Sequence, residues 1–328
     1  MTKVAVAILN YNGRKFLEKF LPSLIENSGQ AKLIVADNAS NDDSVDFLKQ
    51  NFTEVELIQL EKNFGFAGGY NEALKQVDAE YFAIINSDVE VTADWLDPLV
   101  NFLDSNPDYA SVQPKIKSYE DKTKFEYAGA SGGFVDAMGY PYCRGRIFQH
   151  IEEDTGQYDD TIDVDWTSGA CMLIRSKIFL ELGGFDEDFF AHMEEIDLCW
   201  RIRSSGMKLA CLPESTVFHV GGGTLDSSSP FKTYLNFRNG LSLLVKNLPM
   251  GQLTWKLPFR LMLDGLAAVK MAIESSPRHL FAVLKAHFHF YWRLPRTLRK
   301  RRMVSPPGSI WLLREHFLKG RKKFEEVM

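Results

Sequence analysis

Short apolar runs alternate with amphipathic stretches through the first hundred residues of the chain. Four of these runs predict β-strands, at residues 4–9, 33–36, 55–60 and 81–85. Helical patterns lie between the runs, and parallel neighbouring strands require such crossover helices. Because the runs are continuously apolar, each strand is expected to be covered on both faces. The pattern predicts an α/β fold with a mostly parallel central sheet.

Regular patterns weaken near residue 119 and return near residue 169. Further strands are predicted at residues 169–175 and 215–220, and further helices at residues 94–103, 177–182 and 194–203. The segment between, residues 119–165, is rich in Gly, Tyr and charged residues and has few periodic apolar runs. We therefore expect this segment to be irregular.

The sequence LDSSSP at residues 225–230 predicts a boundary between two domains. Beyond it the patterns are helical, and prolines at several positions are expected to end or interrupt helices. These prolines are Pro249, Pro258, Pro277, Pro295, Pro306 and Pro307. The expected organisation is a catalytic domain over residues 1–228 and a basic, mostly helical region over residues 229–328.

Polar residues follow each of the four predicted N-terminal strands. They are Asn10 and Asn12 after the first strand, Asp37 and Asn38 after the second, Asn63 and Gly65 after the third, and Asn86 and Asp88 after the fourth. Ligands of parallel α/β sheets bind at the carboxyl ends of the strands, so these side chains are expected to share one binding edge. The alternative is that they serve only as ordinary turn and cap residues.

Charge is distributed unevenly between the two parts of the chain. The net charge is −5, yet residues 251–328 carry 16 Lys and Arg against 5 Asp and Glu, and the remainder carries 22 against 38. The two parts therefore present different surfaces.

The four cysteines form no CxxC pair, so neither a zinc knuckle nor a disulfide framework is predicted. Met1 and Thr2 lead directly into an apolar strand, without the pattern of a signal peptide, and a cytoplasmic protein is expected.

Seven segments in a particular order resemble family 2 glycosyltransferases, especially the branch that contains rhamnosyltransferases and galactofuranosyltransferases. The segments are VAVAILNYNG, VADNASNDDS, NFGFAGGYNEAL, INSDVEV, WTSGACMLIR, GGFDEDFFAHMEEIDLCWRIR and VFHVGGGT. The resemblance covers about residues 4–224 and fades in the basic C-terminal part. It implies the glycosyltransferase A fold, which is Rossmann-like with a mostly parallel central sheet, here followed by a C-terminal helical extension.

The resemblance also implies which residues contact a nucleoside-diphosphate sugar donor and the acceptor. Asn10 and Asn12 border the nucleotide pocket, and Asp37 hydrogen-bonds the base with Asn38 beside it. The donor loop is shaped by Asn63, Gly65 and Gly69. The acceptor meets the donor near Trp166 and Gly169. The glycines allow backbone N–H groups to approach a ligand closely. An alternative for Trp166 is a place in the hydrophobic core.

A divalent cation, Mn²⁺ or Mg²⁺, is expected to stabilise the departing diphosphate. Asp88 matches the second acid of the family's DxD signature, and Asn86 stands where the first acid is often found. His219 in VFHVGG matches a histidine that completes metal coordination in related transferases. Without the resemblance, the favoured role of Asp88 is a turn cap, and that of His219 is an ordinary residue at a strand end.

The acidic pair Glu194–Glu195 matches the position of the family's catalytic base. Since the acceptor hydroxyl needs a base to take its proton, an inverting single displacement with Glu195 as the base is predicted. The family usually has Asp at the second position of the pair, so this chain departs from the pattern by one methylene. The alternative is that both acids only stabilise a helix N-terminus.

The C-terminal region combines bulky aromatic residues with basic clusters such as residues 299–302. This composition favours a peripheral contact with an anionic membrane surface, and a helical bundle with a basic exposed face is the alternative. The first expectation for the reaction is transfer of rhamnose to a saccharide or lipid-linked saccharide in cell-surface polysaccharide synthesis. A sugar nucleotidyltransferase and a non-catalytic carbohydrate-binding protein remain alternatives, and no nucleic-acid partner is expected.

Overall fold

The computed structural model describes residues 2–221, 229–301 and 308–328. Most of the predicted boundary segment at residues 225–230 lies outside the described residues. The strands are β1 (Thr2–Asn10), β2 (Lys32–Asp37), β3 (Glu56–Gln59), β4 (Ala79–Asn86), β5 (Val89–Val91), β6 (Tyr109–Ser118), β7 (Gly133–Val135), β8 (Pro141–Cys143), β9 (Arg146–Ile147), β10 (His150–Ile151), β11 (Ile162–Asp163), β12 (Cys171–Arg175) and β13 (Lys208–His219). The helices are α1 (Arg14–Asn27), α2 (Ser44–Asn51), α3 (Gly65–Leu74), α4 (Asp97–Ser105), α5 (Ser176–Glu181), α6 (Glu194–Ser204), α7 (Pro230–Asn247), α8 (Met250–Glu274), α9 (Pro277–Arg299) and α10 (Phe324–Val327).

The central sheet has the strand order β11-β13-β6-β12-β4-β1-β2-β3, and β5 pairs with β13 beside this path. β1 pairs in parallel with β2 and with β4, as the alternating pattern predicts. β12 is antiparallel to both of its neighbours, β4 and β6. The prediction of an α/β fold with a mostly parallel sheet is confirmed, and the sheet is mixed because β12 and the short strands β5 and β11 pair antiparallel with their neighbours.

Residues 119–165 are more regular than predicted. They contain a second small sheet of order β10-β9-β8-β7, whose strands are two or three residues long, and the edge strand β11. Alternation of apolar and polar residues needs about four residues to be recognised. Strands of two or three residues are too short to show this alternation, so the sequence pattern does not predict them.

The last strand of the central sheet is also longer than predicted. β13 begins at Lys208, before the predicted start at residue 215, and its register with β6 shifts between Leu212 and Thr216. Pro213 lies inside the shift, and Pro is tolerated in strands mainly at such irregularities. Because of this proline, the sequence pattern indicated a break before residue 215, although the strand is continuous.

The C-terminal region is helical, as predicted, and α7 joins the main hydrophobic core. Leu241, Leu244 and Val245 of α7 are fully buried in the same apolar cluster as Ile196 and Trp200 of α6. The division into two domains near residue 228 stays a prediction, but these contacts mean that α7 and the catalytic part share one core.

A buried ion pair lies within α8, and its arginine packs against the segment that precedes β8. Arg260 Nε donates to Asp264 Oδ1 at 3.0 Å, and both side chains are almost inaccessible. The Arg260 guanidinium also lies 3.6 Å from the centre of the Tyr140 ring. Removing one partner of such a pair leaves an uncompensated buried charge.

We expect Asp264→Ala to lower the free energy of unfolding by about 3–5 kcal/mol, because Arg260 would remain buried and unpaired. Glu274→Ala on the same helix is the matched control, since its contact with Lys270 is exposed and 3.9 Å long. That change should cost less than about 0.5 kcal/mol. Equal losses for the two variants in urea unfolding would contradict the role given to the buried pair.

Candidate active site

The carboxyl ends of three neighbouring parallel strands bring the predicted polar residues together. In the sheet register Asn10 stands opposite Asp37, and Leu9 stands opposite Asn86. Asn10 Nδ2 donates to Asp37 Oδ1 at 2.9 Å and to Ser40 Oγ at 3.1 Å. The clusters after the first, second and fourth strands therefore form one edge, as the α/β pattern predicts.

Several of these residues also hold the turns in which they lie. Asp37 Oδ2 accepts the backbone N–H of Ser40 at 3.0 Å, and Asn12 Oδ1 accepts the N–H of Asn41 at 2.7 Å. Asn12 adopts a left-handed backbone with φ of 53°, which Asn tolerates well. The turn function and a binding function are thus compatible, because the turns fix the position of the edge.

The predicted donor loop is connected to the second strand by side-chain amides. Asn38 Nδ2 donates to Asn63 Oδ1 at 3.1 Å and to the Gly65 carbonyl at 3.0 Å. Gly69 lies against Leu9, so closely that a Cβ would be 2.7 Å from the leucine side chain. Asn63, Gly65 and Gly69 therefore belong to the same edge as Asn38.

Gly65 is required on steric grounds. Its φ is +72°, and a Cβ there would lie 2.5 Å from the Phe190 ring. The N–H groups of Phe66 and Ala67 donate to the Phe190 carbonyl at 2.8 and 3.2 Å. The start of α3 is consequently attached to the segment that precedes α6, which we call the 186–193 loop.

Asp88 and His219 meet because β5 pairs with the end of β13. His219 stands opposite Val89 in this pairing, and the Val220 N–H donates to the Asp88 carbonyl at 3.1 Å. His219 Nε2 lies 3.1 Å from Asp88 Oδ1, and both side chains are buried. The two residues predicted to bind metal, 131 positions apart in the sequence, are therefore in contact.

The ring of His219 lies between two carboxylates. Its Nδ1 is 3.4 Å from Glu126 Oε2, on the side of the ring opposite Asp88. Burial disfavours the imidazolium, but Glu126 and Asp88 outweigh that effect and raise the pKa of His219 to about 10. Asn86 Nδ2 is 3.4 Å from His219 Nε2, so Asn86 completes this group.

The donor set fits a divalent cation that also binds phosphate oxygens. A proton between Asp88 Oδ1 and His219 Nε2 would be shared by the two atoms. A metal ion that binds to both atoms displaces this proton. Within the described ranges, no three His, Cys, Asp or Glu side chains converge on one point. The remaining ligands would have to be phosphate oxygens and water, which is the usual arrangement for Mg²⁺.

Glu194 and Glu195 lie in the first turn of α6, and neither forms an ion pair with a basic side chain among the described residues. The Oε2 atom of each is sealed from solvent and has no hydrogen-bond partner among the described residues. Burial raises the pKa of Glu195 to about 7 and that of Glu194 well above its usual value, and the charge of the neighbouring Glu195 raises the pKa of Glu194 further. A carboxyl group with a pKa near neutrality is suited to general acid–base chemistry.

Gly169 connects the acid pair to the strand edge. A Cβ on Gly169 would lie 3.7 Å from Glu195 Cβ, and the N–H of Asn86 donates to the carbonyl of the next residue, Ala170, at 3.0 Å. Because β12 is antiparallel to β4, its first residues lie beside the last residues of β4. Glu195 is therefore near the strand end that carries Asn86 and Asp88.

Trp166 does not share this position. Its side chain is buried, its Nε1 donates to the Phe134 carbonyl at 2.9 Å, and its ring covers Gly133. Trp166 therefore lies in the hydrophobic core, which is the alternative given for it, and its place beside the acceptor stays a prediction.

Sequence reasoning missed Asn239, which supports the acid pair from α7. Its Nδ2 donates to the carbonyls of Phe189, Ala191 and His192 at 3.0, 2.9 and 2.8 Å. Phe190, His192 and Met193 all have φ between 67° and 74°. Backbone conformations of this kind persist only where surrounding contacts impose them. An Asn inside a helical pattern gives no sequence signal of such a role.

Ion pairs hold the same loop at its other end. Lys246 of α7 contacts Asp186 at 2.6 Å and Asp197 of α6 at 2.8 Å, and Lys300 contacts Asp186 and Asp188. Burial opposes the ionisation of Asp197, but Arg201 and Lys246 lower its pKa nonetheless. Asp197 is therefore a structural acid, in contrast to the adjacent pair Glu194–Glu195.

Comparison with known families gives one match that covers more than half of the chain. The model of the family described as glycosyl transferase family 2 matches residues 5–183. This range begins inside β1 and extends past β12, so it leaves out β13 and the C-terminal helices.

Curated proteins with similar sequences include three named transferases. The low-salt glycan biosynthesis hexosyltransferase Agl10 of Haloferax volcanii is 22% identical over 298 residues, which cover 87% of this chain and 90% of that protein. The N-acetylglucosaminyl-diphospho-decaprenol L-rhamnosyltransferase of Mycobacterium tuberculosis is 26% identical and is aligned over 65% of this chain and 75% of its own. Rhamnosyltransferase WbbL of Escherichia coli is 26% identical, with 66% and 83% covered.

Solved structures with a similar fold include GalNAc-T7 with UDP, GalNAc and Mn²⁺, which has a TM-score of 0.60 and 14% identity over 90% of this chain and 58% of that chain. Staphylococcus aureus TarS 1–349 in complex with UDP-GlcNAc has a TM-score of 0.57 and 15% identity, with 91% and 84% covered. The mannosyltransferase PcManGT from Pyrobaculum calidifontis, in complex with GDP-Man and Mn²⁺, has a TM-score of 0.53 and 15% identity, also with 91% and 84% covered. At these identities the likeness concerns the fold.

We expect Glu195→Gln to be at least as stable as the unchanged protein at pH 8. The pKa of Glu195 is raised in the folded state, so the folded protein binds its proton more tightly than the unfolded chain does. The unchanged protein should therefore lose stability as the pH rises from about 5 through about 7, and the glutamine variant should lose less.

Melting temperatures measured from pH 5 to pH 8 test this expectation. Glu181→Gln is the control, because Glu181 is exposed on α5 and its variant should follow the unchanged protein at every pH. If the difference in melting temperature does not shift in favour of Glu195→Gln as the pH rises, the proton-binding state of Glu195 is wrong.

Proposed function

The chain belongs to glycosyl transferase family 2, and from this membership we propose that it is an inverting glycosyltransferase with a nucleoside-diphosphate sugar as donor. Its fold is the glycosyltransferase A fold, a mixed but mostly parallel sheet followed by C-terminal helices. The single observation that carries the proposal is the convergence of Asp88, His219 and Glu195 at the edge that Asn10 and Asp37 also form.

In this proposal the diphosphate lies near Asp88 and His219, and the acceptor hydroxyl approaches Glu195 beside Gly169. Glu195 takes the hydroxyl proton onto its carboxylate as the acceptor oxygen bonds to the anomeric carbon from the face opposite the diphosphate. The bond from the anomeric carbon to the diphosphate oxygen breaks, and the nucleoside diphosphate departs with both electrons. The configuration at the anomeric carbon is inverted, and no covalent intermediate with the protein forms.

The pKa of about 7 suits this role of Glu195, since a base must be largely ionised at the working pH and still basic enough to accept a proton. Glu194 is the second acid of the proposed catalytic pair. It is buried next to Glu195, and the interaction between the two carboxyl groups favours the protonated state of the pair after transfer.

Asp88 and His219 would hold a divalent cation, Mn²⁺ or Mg²⁺, together with the diphosphate. Such an ion supplies positive charge that stabilises the departing phosphate oxygens. Support comes from the contact between the two donors and from the Mn²⁺ named in two solved structures of similar fold.

The donor sugar is proposed to be rhamnose and the acceptor a lipid-linked saccharide. Two relatives are named rhamnosyltransferases, and one of them is named for an acceptor that carries diphospho-decaprenol. A third relative is a hexosyltransferase of glycan biosynthesis. A role in the synthesis of a cell-surface polysaccharide follows from this proposal.

Peripheral membrane contact is proposed for the outer faces of α8 and α9. Large apolar side chains on these faces recur at helical spacing, and their exposed fractions reach 80% at Ile273 and 74% at Trp292. The α8 residues are Trp255, Met262, Leu266, Val269 and Ile273, and the α9 residues are Phe281, Leu284, Phe288, Tyr291 and Trp292. No helix within the described ranges is long and apolar enough to cross a membrane.

Charge makes an anionic lipid surface the proposed partner of these faces. The two helices carry the exposed basic residues Lys270, Arg278, Lys285, Arg296 and Arg299. Glu274 is their one exposed acid, since Asp264 is buried in its ion pair. Each basic residue near an anionic surface contributes about 1 kcal/mol, and inserted aromatic rings add apolar burial. Contact through α8 and α9 would bring a lipid-linked acceptor to the enzyme.

The proposed reaction is tested with a panel of nucleotide sugars and lipid-linked or soluble saccharide acceptors, scored by released nucleoside diphosphate. With the donor that reacts, Glu195→Gln should lower kcat by about 10²–10⁴-fold, because no other base takes the proton. Asp88→Ala should abolish the stimulation by Mn²⁺ or Mg²⁺, and EDTA should inhibit the unchanged protein. Glu181→Gln is the control and should retain full activity. Normal turnover by both active-site variants would rule out the assignment.

Membrane contact is tested by flotation with vesicles that contain phosphatidylglycerol. We expect the protein to float with these vesicles, and the double variant Phe288→Glu with Trp292→Glu to remain in solution, because it removes two rings and adds two negative charges. Leu180→Glu is the control, since Leu180 is 47% exposed on α5, away from the two helices. Equal flotation of the double variant, or no flotation of the unchanged protein, would contradict this surface and leave the reaction proposal intact.

A further inference from the structure

Glu126 is a buried acid that neither the motifs nor the proposed reaction uses. It follows β6 in the segment that the sequence predicts to be irregular, and its side chain is 7% exposed. A buried carboxylate is costly unless other groups compensate it. Its place in the molecule therefore calls for a partner.

Two contacts hold the Glu126 carboxylate. Its Oε2 accepts the N–H of Ala128 at 2.5 Å, and Gly221, with φ of +72°, approaches so closely that a Cβ would lie 2.7 Å from Oε1. The backbone N–H of Glu126 donates to the Ile116 carbonyl at 3.0 Å, which anchors the residue to β6. These contacts keep the carboxylate beside the ring of His219.

The oxygen that faces His219 is aimed at the ring nitrogen remote from Asp88. The distance from Glu126 Oε2 to His219 Nδ1 is 3.4 Å, an ion-pair contact, and Nδ1 is buried without an aligned hydrogen bond among the described residues. Nε2 on the opposite side of the ring is the nitrogen near Asp88. The ring therefore has one nitrogen directed to the proposed metal position and the other directed to a fixed carboxylate.

We propose that Glu126 is a positioning residue for the metal site, which holds the His219 ring in the orientation and tautomer that present Nε2 to the cation. The inference rests on the proposed metal role of Asp88 and His219. A carboxylate that accepts the second N–H of a ligating histidine fixes the ring and makes the ligand more basic. Loss of such a partner typically weakens metal binding by about 10–100-fold.

Direct measurement of metal affinity tests the proposal without relying on turnover. Mn²⁺ is titrated into the full-length protein and followed by electron paramagnetic resonance, alone and with UDP, GDP or dTDP. Glu126→Gln keeps the size of the side chain but removes its charge, and we expect the Kd for Mn²⁺ to rise by about 10–100-fold. Glu126→Asp retains the charge and should recover part of the affinity, which a purely structural role does not predict.

Glu153→Gln is the matched control, because it removes the same charge from an exposed side chain of the same segment. Its Kd should stay within about twofold of the unchanged protein. Thermal unfolding of each variant separates lost folding from lost affinity. If Glu126→Gln is folded and binds Mn²⁺ as the unchanged protein does, the proposal is wrong.

His219→Ala distinguishes this failure from failure of the metal site itself. Weaker Mn²⁺ binding by His219→Ala together with normal binding by Glu126→Gln overturns only the role of Glu126. Absence of Mn²⁺ binding by the unchanged protein overturns both proposals. If Glu126→Gln does not fold, a Kd for Glu126→Asp equal to that of the unchanged protein counts against the role of Glu126, and a raised Kd supports it.

Discussion

Parallel pairing of β1 with β2 on one side and β4 on the other is the constraint on which the candidate site depends. Three strands that run in one direction must end at one edge, so the residues that follow them meet regardless of their separation along the chain. β12 enters the same sheet in the opposite direction and brings its first residues to that edge. The antiparallel strand thereby places Gly169 and the neighbouring Glu195 beside Asn86.

The C-terminal helices are part of the architecture of this site. Each backbone position with unfavourable φ costs of order 1–3 kcal/mol, and the 186–193 loop has three of them just before α6. Asn239 and Lys246 of α7 supply the hydrogen bonds and charge that stabilise this loop. The helical layer thus supports the acid pair on one side and carries the exposed apolar faces of α8 and α9. It connects the candidate site to the proposed membrane surface.

Acids close together in sequence have opposite electrostatic environments. Asp197 is compensated by Arg201 and Lys246 and stays ionised, whereas the buried Glu194 and the half-buried Glu195 have no such cation and retain protons to a higher pH. Across the site, Asp88 and Glu126 favour the charged form of His219. In the proposed reaction, Glu195 accepts a proton near neutrality, and the carboxylates around His219 attract the positive charge of a proton or of a cation that replaces it.

The sequence by itself determined the α/β class, the order of the main strands and the residues at their ends, because a period of apolar residues and a turn residue are local properties. It also gave Asp88, His219 and the acid pair as candidates, through motifs that keep a fixed order along the chain. Only the tertiary structure decided that Trp166 is buried, that strands of two residues form a second sheet, and that Glu126 and Asn239 support the site. Those outcomes depend on contacts between distant segments of the chain. The burial and the hydrogen bonds of a residue are decided by the residues it contacts in the fold, and its neighbours in sequence do not specify them.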